Sequence, residues 1–258
     1  VNEGNFQRAA QILDAMKTPP TRPSLDGVSA LRSVGEWLAI QGRWREAANR
    51  FSALMEIDKL DPWGPVTLDY QSCGVVLVES GDLERFEHFR TEAVTRFITE
   101  TNGDAAGRIL KTCLLPPVHE NTLRQLEPLG RIVEKWTDAQ SPQVQSGWAA
   151  IPIALWKYRT GDFSGAEEFC RRGFMPGEMT ARTATVRLIL AMACYRNGQK
   201  SEAETLLAQG RGQIAGIFDV AIDRGTQGAG LWYDWVFARV LLREATVLIQ
   251  PESGSRAK

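Results

Sequence analysis

The segment Trp37–Phe51, WLAIQGRWREAANRF, contains two apolar patterns of helical period that are separated by a single glycine. The first pattern ends before Gly42, and the second resumes at Trp44 and continues through Ala47 to Phe51. Apolar residues three or four positions apart on both sides of a glycine are typical of two helices joined by a tight turn.

The same arrangement recurs along the chain. Glycines that precede a new helical pattern stand at positions 4, 42, 81, 161 and 198, at intervals of 38, 39, 80 and 37 residues. The longest interval equals two periods in which one turn glycine is missing. A period of about 35–45 residues with two helices per repeat predicts an α-solenoid. We therefore expect an all-α chain of about six helix–turn–helix repeats over residues 1–249, with a degenerate repeat near residues 103–140, a C-terminal capping helix and a disordered tail at 250–258.

Two further features repeat with the turns. A small residue stands seven positions before each turn glycine, at Gly35, Gly74, Ala154 and Ala191. This predicts a close helix contact that a larger side chain would prevent. The turn glycines at 81 and 161 are followed by Asp82 and Asp162, which we expect to cap the next helix.

Composition excludes several kinds of partner. The 258 residues include 30 basic and 31 acidic side chains, for a net charge of −1. The charge balance therefore does not favour binding to nucleic acid or to an anionic membrane. No apolar run approaches the roughly 18 residues that a membrane helix needs. We expect no membrane insertion by this segment and a cytoplasmic location, although the parent protein could be membrane-anchored. The four cysteines are predicted to be buried free thiols at Cys73, Cys113, Cys170 and Cys194.

No pattern in the sequence points to catalysis. His88 and His119 have no serine, cysteine or carboxylate at a spacing typical of catalytic sets, and no metal-ligand spacing occurs. The glycine-rich segment 223–230, DRGTQGAG, follows no predicted strand, so it is interpreted as a flexible connector and not as a dinucleotide loop. We expect a protein that is not an enzyme and has no cofactor and no metal.

The repeats resemble tetratricopeptide repeats. The second repeat carries that family's signature at Leu31, Val34, Gly35, Leu38, Gly42, Trp44, Ala47, Phe51 and Leu54. The resemblance implies a right-handed α–α superhelix whose first helices line a concave groove for extended peptides. The sequence departs from the family in its longer period and at Phe86, where a small alanine is usual.

The segment Gly230–Ile249, GLWYDWVFARVLLREATVLI, is similar to the ends of helical-repeat regions in large serine/threonine protein kinases of planctomycete- and verrucomicrobium-type bacteria. The similarity implies a non-catalytic interaction region of a multidomain, kinase-like bacterial protein. The start at Val1, without methionine, favours the same interpretation. No kinase motif occurs within the sequence itself.

Two first helices end alike, with Tyr158-Arg159 before Gly161 and Tyr195-Arg196 before Gly198. The resemblance places both pairs on the groove, where the arginines could hold a carboxylate or phosphate of a protein or peptide ligand. Alternatively, both arginines simply favour a helix C-terminus and lie in solvent. Further groove candidates are Trp148, Leu155, Met192, Glu36, Gln71 and Glu79.

Two functions remain open at this point. The first is a scaffold that binds a protein or peptide and performs no chemistry. The second is a regulatory sensor that binds a small molecule in the groove, with the degenerate fourth repeat forming a pocket.

Overall fold

The computed structural model of this chain describes residues 3–15, 25–60, 66–138, 148–173, 177–219, 222–226 and 229–251. Within these ranges the chain is all-helical apart from one short strand pair, as the sequence predicted. The elements are α1 (Glu3–Ala15), α2 (Leu25–Ile40), α3 (Trp44–Leu60), α4 (Val66–Glu79), α5 (Leu83–Phe97), α6 (Gly103–Cys113), α7 (Glu120–Asp138), α8 (Ala150–Arg159), α9 (Phe163–Gly173), α10 (Ala181–Arg196), α11 (Lys200–Phe218), β1 (Gly225–Thr226), β2 (Gly230–Leu231) and α12 (Trp232–Ile249). The predicted disordered tail lies outside the described residues from position 252 onward.

The turns between paired helices have the predicted form. Gly42, Gly81, Gly161 and Gly198 have φ angles of 71°, 75°, 87° and 83°, a region that glycine adopts without steric cost. The residue after each glycine donates its backbone N–H to the carbonyl five positions earlier, as Arg43 does to Leu38 at 2.9 Å. This bond satisfies a carbonyl that the helix end would otherwise leave open. Gly4 differs, because it lies inside α1.

The close helix contact predicted at Gly35 is also present. A Cβ atom on Gly35 would lie 2.9 Å from the Cε2 atom of the Phe51 ring, so α2 and α3 can approach only without one. The two aspartates cap as expected. Asp82 accepts the backbone N–H of Arg85 at 3.1 Å, and Asp162 accepts that of Gly165 at 2.9 Å.

By its internal contacts the chain divides into two compact units, Val1–Phe89 and Arg90–Lys258, which we call the N-terminal and C-terminal units. In the N-terminal unit, α1 contacts α2, α2 packs on α3, and α3 packs on α4. In the C-terminal unit, each helix from α6 to α9 contacts the next helix along the chain. In addition, α6 contacts α8, and α8 contacts α10. The helices of the fourth, fifth and sixth repeats therefore stack in chain order.

The centre of the C-terminal unit is α10. Thirteen of its sixteen residues are buried, because it contacts α8, α9, α11 and α12. The closing helix α12 is buried on more than one side.

Residues 223–230 were expected to form a flexible connector, and the structure shows a more specific arrangement in the described part of the segment. Strands β1 and β2 pair antiparallel, with Gly225 opposite Leu231. The Ala181 N–H at the start of α10 donates to the Ala229 carbonyl at 2.8 Å. A Cβ on Gly230 would collide with the Ala181 side chain, so the glycine permits this docking.

The described helices include none that is both long and apolar enough to cross a bilayer. All four cysteines are buried and free, as predicted.

Candidate functional site

The two Tyr-Arg helix ends, which look alike in sequence, have different environments. The Arg159 side chain is only 6% exposed and forms a bidentate ion pair with Glu244 on α12. Its Nε and NH2 groups also donate to the Leu114 and Leu115 carbonyls at 3.0 Å each. These carbonyls follow the end of α6, where helical acceptors are left open. Arg159 therefore uses its donors within the protein and is not available to a ligand in this conformation.

Arg196, at the equivalent end of α10, is exposed. Its guanidinium carbon lies 5.9 Å from the centroid of the Phe163 ring, and that ring lies 5.6 Å from the ring of Tyr158. Burial raises the pKa of the Tyr158 phenol, and the nearby Arg196 cation acts in the opposite direction. We call Arg196, Phe163 and Tyr158 the Arg196 platform. Thus the structure joins Tyr158 of the fifth repeat to Arg196 of the sixth.

No carboxylate pairs with Arg196 among the residues that the structure describes. Helix α9 does carry an acidic group close to the turn that follows Arg196, Glu167, but that carboxylate is already engaged. It accepts hydrogen bonds from the Asn197 amide at 2.9 Å and from Arg171 Nε at 3.0 Å. Desolvation alone would raise the pKa of Glu167, and these hydrogen bonds lower it instead. The guanidinium of Arg196 is therefore a solvent-facing cation on an aromatic base.

Three of the other groove candidates lie in the core and do not line an open surface. Leu155 and Met192 are fully buried, and Gln71 in the N-terminal unit is nearly so. The reason is that α8 and α10 are covered by other helices on several sides, whereas the expected groove needs one open face. Tyr195 is half-buried, and Trp148 is 37% exposed.

Glu36 and Glu79 belong to the N-terminal unit and are both half-buried. Glu36 lies near the Arg32–Asp69 ion pair, in which Arg32 Nε donates to Asp69 Oδ1 at 2.6 Å. Burial raises the pKa of Asp69, and the Arg32 guanidinium opposes that shift. Glu79 lines a shallow cleft of about 310 Å³ beside the turn at Gly42. The basic residues of that cleft are Arg43 and Arg45, of which Arg43 is paired with Glu46.

One residue of interest escaped the sequence analysis. Lys111 on α6 is buried, with its ammonium 3.7 Å from Asp234 Oδ1 on α12 and 5.4 Å from the centroid of the Trp148 ring. The available signal was its spacing from Gly107, because residues four apart share a helix face and a Cβ atom on Gly107 would lie only 3.1 Å from Pro152 Cγ.

The described residues support neither a metal site nor a histidine-based catalytic site. Within them, no group of three or more histidine, cysteine, aspartate and glutamate side chains is arranged to hold a metal ion. His88 and His119 are both exposed.

No protein-family model matches the sequence, and no curated protein matches it. Function is therefore argued from the two sites described above, the Arg196 platform and the surroundings of Lys111.

Proposed function

We propose that this chain is a scaffold of tetratricopeptide-like helical repeats that binds an acidic segment of a partner protein, with Arg196 as the principal contact. The observation that carries the proposal is the contrast between two arginines in the same sequence context. Arg159 is neutralised by Glu244, whereas Arg196 is exposed and has no carboxylate partner in the described ranges. A guanidinium can hold a carboxylate or phosphate through two parallel hydrogen bonds.

The aromatic base of the platform supports this role. Stacking on Phe163 restricts the Arg196 side chain before a ligand arrives, so less conformational entropy is lost on binding. The phenol of Tyr158 adds a polar group at the same place. An acidic residue of an extended peptide could pair with Arg196 while the flanking peptide contacts the half-buried Tyr195.

The repeat architecture favours a binding role over catalysis. Four turn glycines with positive φ and a small residue inside the helix pair are features that this chain has in common with tetratricopeptide repeats. The stacking of α6 to α10 in chain order supports a solenoid in the C-terminal unit. We propose on the same basis that the protein has no chemical turnover of its own.

The context of a larger, kinase-like bacterial protein is also a proposal. It rests on the pattern of residues 230–249. In the structure the residues of that pattern have structural roles, because Asp234 accepts the Leu231 N–H at 3.1 Å and Trp235 is buried. These contacts help to close the repeat region.

The test uses a pool of fluorescently labelled, extended peptides in three matched versions, with glutamate, phosphoserine or glutamine at one central position. We expect the glutamate or phosphoserine version to bind more tightly than the glutamine version. Arg196→Ala should weaken that binding about tenfold, because hydrogen bonds to charged groups contribute roughly 1.5–3 kcal/mol.

The matched control is Arg172→Ala. Arg172 is also exposed and lies 5.2 Å from an aromatic centroid, that of Phe169, but it is paired with Glu168. Its removal should leave the affinity unchanged. Equal loss in both variants, or no preference of the native protein for the charged peptides, would reject the proposal.

A second candidate function is a regulatory sensor for a small molecule. It is favoured by one observation, the buried ammonium of Lys111 beside the exposed Trp148 in the region of the fourth repeat. A ligand that binds only the folded state raises the melting temperature. A thermal-shift screen against small metabolites should therefore find a stabilising compound whose effect is lost in Trp148→Ala, and a flat response across the screen would contradict this function.

A further inference from the structure

The Lys111 side chain lies in an environment that is unusual for a lysine. It is only 9% exposed, and its ammonium lies between two aromatic rings, 5.4 Å from the centroid of Trp148 and 5.5 Å from that of Phe237. The one carboxylate that pairs with it in the described structure is Asp234, on a helix that is more than a hundred residues away along the chain. Two segments, the closing helix α12 and the residues before α8, therefore converge on a single amine of α6.

Apart from the two aromatic rings, whose faces attract a cation, the amine has one close carboxylate that favours its protonated form. Its 3.7 Å separation from Asp234 Oδ1 exceeds the 2.7–3.2 Å of an ordinary hydrogen bond. The other oxygen of Asp234 accepts the Leu231 N–H. The remaining charged groups that act on Lys111 are Arg108 and Asp104, which are paired with each other on α6. Burial lowers the pKa of Lys111, and the attraction of Asp234 only partly opposes it.

A second lysine of the same unit has the opposite environment. Lys157 on α8 lies 2.7 Å from Glu134 Oε1 and 3.5 Å from Asp162 Oδ2. The hydrogen bond with Glu134 raises the pKa of Lys157. The protein thus contains one lysine that is held as a cation and one whose cationic form is disfavoured by burial, and the pair can be compared directly.

We propose that Lys111 is a covalent binding site for a small aldehyde, which it captures as an imine. The Nζ lone pair attacks the carbonyl carbon, and Asp234 accepts the proton that the nitrogen releases. Asp234 returns that proton to the alkoxide, which gives the neutral carbinolamine, and then passes a second proton, taken from solvent, to the hydroxyl, which leaves as water while the C=N bond forms. No electron is transferred in this sequence, and the protonated imine has Asp234 as its counter-ion.

The surroundings also indicate the kind of aldehyde. Trp148 and Phe237 provide two aromatic faces, so a planar or aromatic carbonyl compound fits the walls better than a charged one. Trp148 is the more exposed of the two rings, so the proposed ligand would approach from its side. This site shares no residue with the Arg196 platform, so it does not depend on the proposed peptide binding.

The test is reductive trapping of the full chain with benzaldehyde and sodium cyanoborohydride at neutral pH, followed by peptide mass mapping. The reductant converts an imine into a stable benzylamine, so a modified lysine is one that formed an imine. We expect Lys111 to be benzylated faster than Lys157, because burial disfavours the cation of Lys111 whereas Glu134 stabilises that of Lys157, and only a neutral amine attacks the aldehyde. Asp234→Asn, which retains an acceptor for the Leu231 N–H, should slow the labelling of Lys111, because the loss of the group that transfers the protons outweighs the larger neutral fraction of the amine.

Two variants keep the result interpretable. Lys111→Arg preserves the charge but cannot form an imine, so it should abolish the fast labelling while its circular dichroism remains native. Lys157→Arg is the matched control and should leave the fast labelling intact. Labelling of Lys111 no faster than that of Lys157, or fast labelling that persists in folded Lys111→Arg, would overturn the proposal.

Discussion

Arg159 on α8 and Glu244 on α12 form a bidentate ion pair inside the C-terminal unit, with Arg159 NH2 2.6 Å from Glu244 Oε2. The same guanidinium also bonds the last carbonyls of the α6 segment, at Leu114 and Leu115. One side chain thus connects three helices that are distant in sequence. Its position in the repeat would place it on a ligand groove, but its function in the structure is to stabilise the packing.

Replacing Glu244 by alanine should lower the free energy of unfolding by about 3 kcal/mol. The substitution leaves the mostly buried Arg159 charge without its partner, and breaking such pairs costs roughly 3–5 kcal/mol. Urea denaturation of the native and variant proteins measures the change. The control is Glu168→Ala, which removes the exposed partner of Arg172 and should cost less than about 1 kcal/mol. Equal losses in the two variants would show that the Arg159–Glu244 pair contributes no more to the free energy of unfolding than an exposed ion pair does.

Replacing Gly35 by alanine should destabilise the protein even though alanine is the better helix former. The new methyl group would lie 2.9 Å from the fully buried Phe51 ring, and overpacking of this kind costs about 1–3 kcal/mol. The stabilisation of about 1 kcal/mol that alanine gives over glycine through helix propensity is smaller than this cost.

Gly212→Ala on α11 is the matched control, because it separates the effect of helix propensity from that of overpacking. An added Cβ there meets no atom within 4 Å, so only the helix-propensity term remains and the variant should be more stable by up to about 1 kcal/mol. Thermal unfolding of both variants distinguishes the cases. A stabilising Gly35→Ala would mean that α2 and α3 are not in close contact at this point.

The pH dependence of stability should reveal the environment of Lys111. Because burial lowers its pKa in the folded state, the unfolded chain binds more protons between that lowered value and the ordinary value of about 10.4. Stability from this group therefore rises with pH across that interval, by at most about 1.4 kcal/mol per pH unit. Below the interval both states are protonated, and the full cost of burying the charge is present.

The measurement is the difference in unfolding free energy between the native protein and Lys111→Met, taken from pH 7 upward by urea denaturation. Lys157→Met is a control of opposite sign. The pKa of Lys157 is raised in the folded state, so its stabilisation is complete below the ordinary lysine value and is lost as the pH rises through the raised value. Parallel pH profiles for the two variants would contradict the predicted environment of Lys111.

Local features of this protein could be predicted from the sequence because local geometry determines them. The turn at Gly42 requires a positive φ, and the absence of a side chain at Gly35 permits a close approach. Both signals repeat with the period of the chain, so the helix pairs were recognisable without knowledge of their packing.

The difference between Arg159 and Arg196 could not be predicted in this way. Both follow a tyrosine and precede a turn glycine by two positions, so their local contexts agree. Only the position of Glu244, 85 residues beyond Arg159, separates the buried arginine from the exposed one. The burial of Lys111 depends in the same way on the distant Trp148 and Asp234. The environment of a residue that depends on partners distant in the sequence cannot be predicted from the repeat pattern.

The enclosure of α10 has a consequence for how far this protein is modular. Repeat arrays are often shortened, extended or recombined by whole repeats, since each repeat has contacts mainly with its neighbours. Here α10 is covered by α8, α9, α11 and α12 together, and its first residue is bonded to the segment that precedes α12. The sixth repeat therefore cannot be transplanted or deleted alone, and the smallest exchangeable module that includes it extends from the fifth repeat through the closing helix.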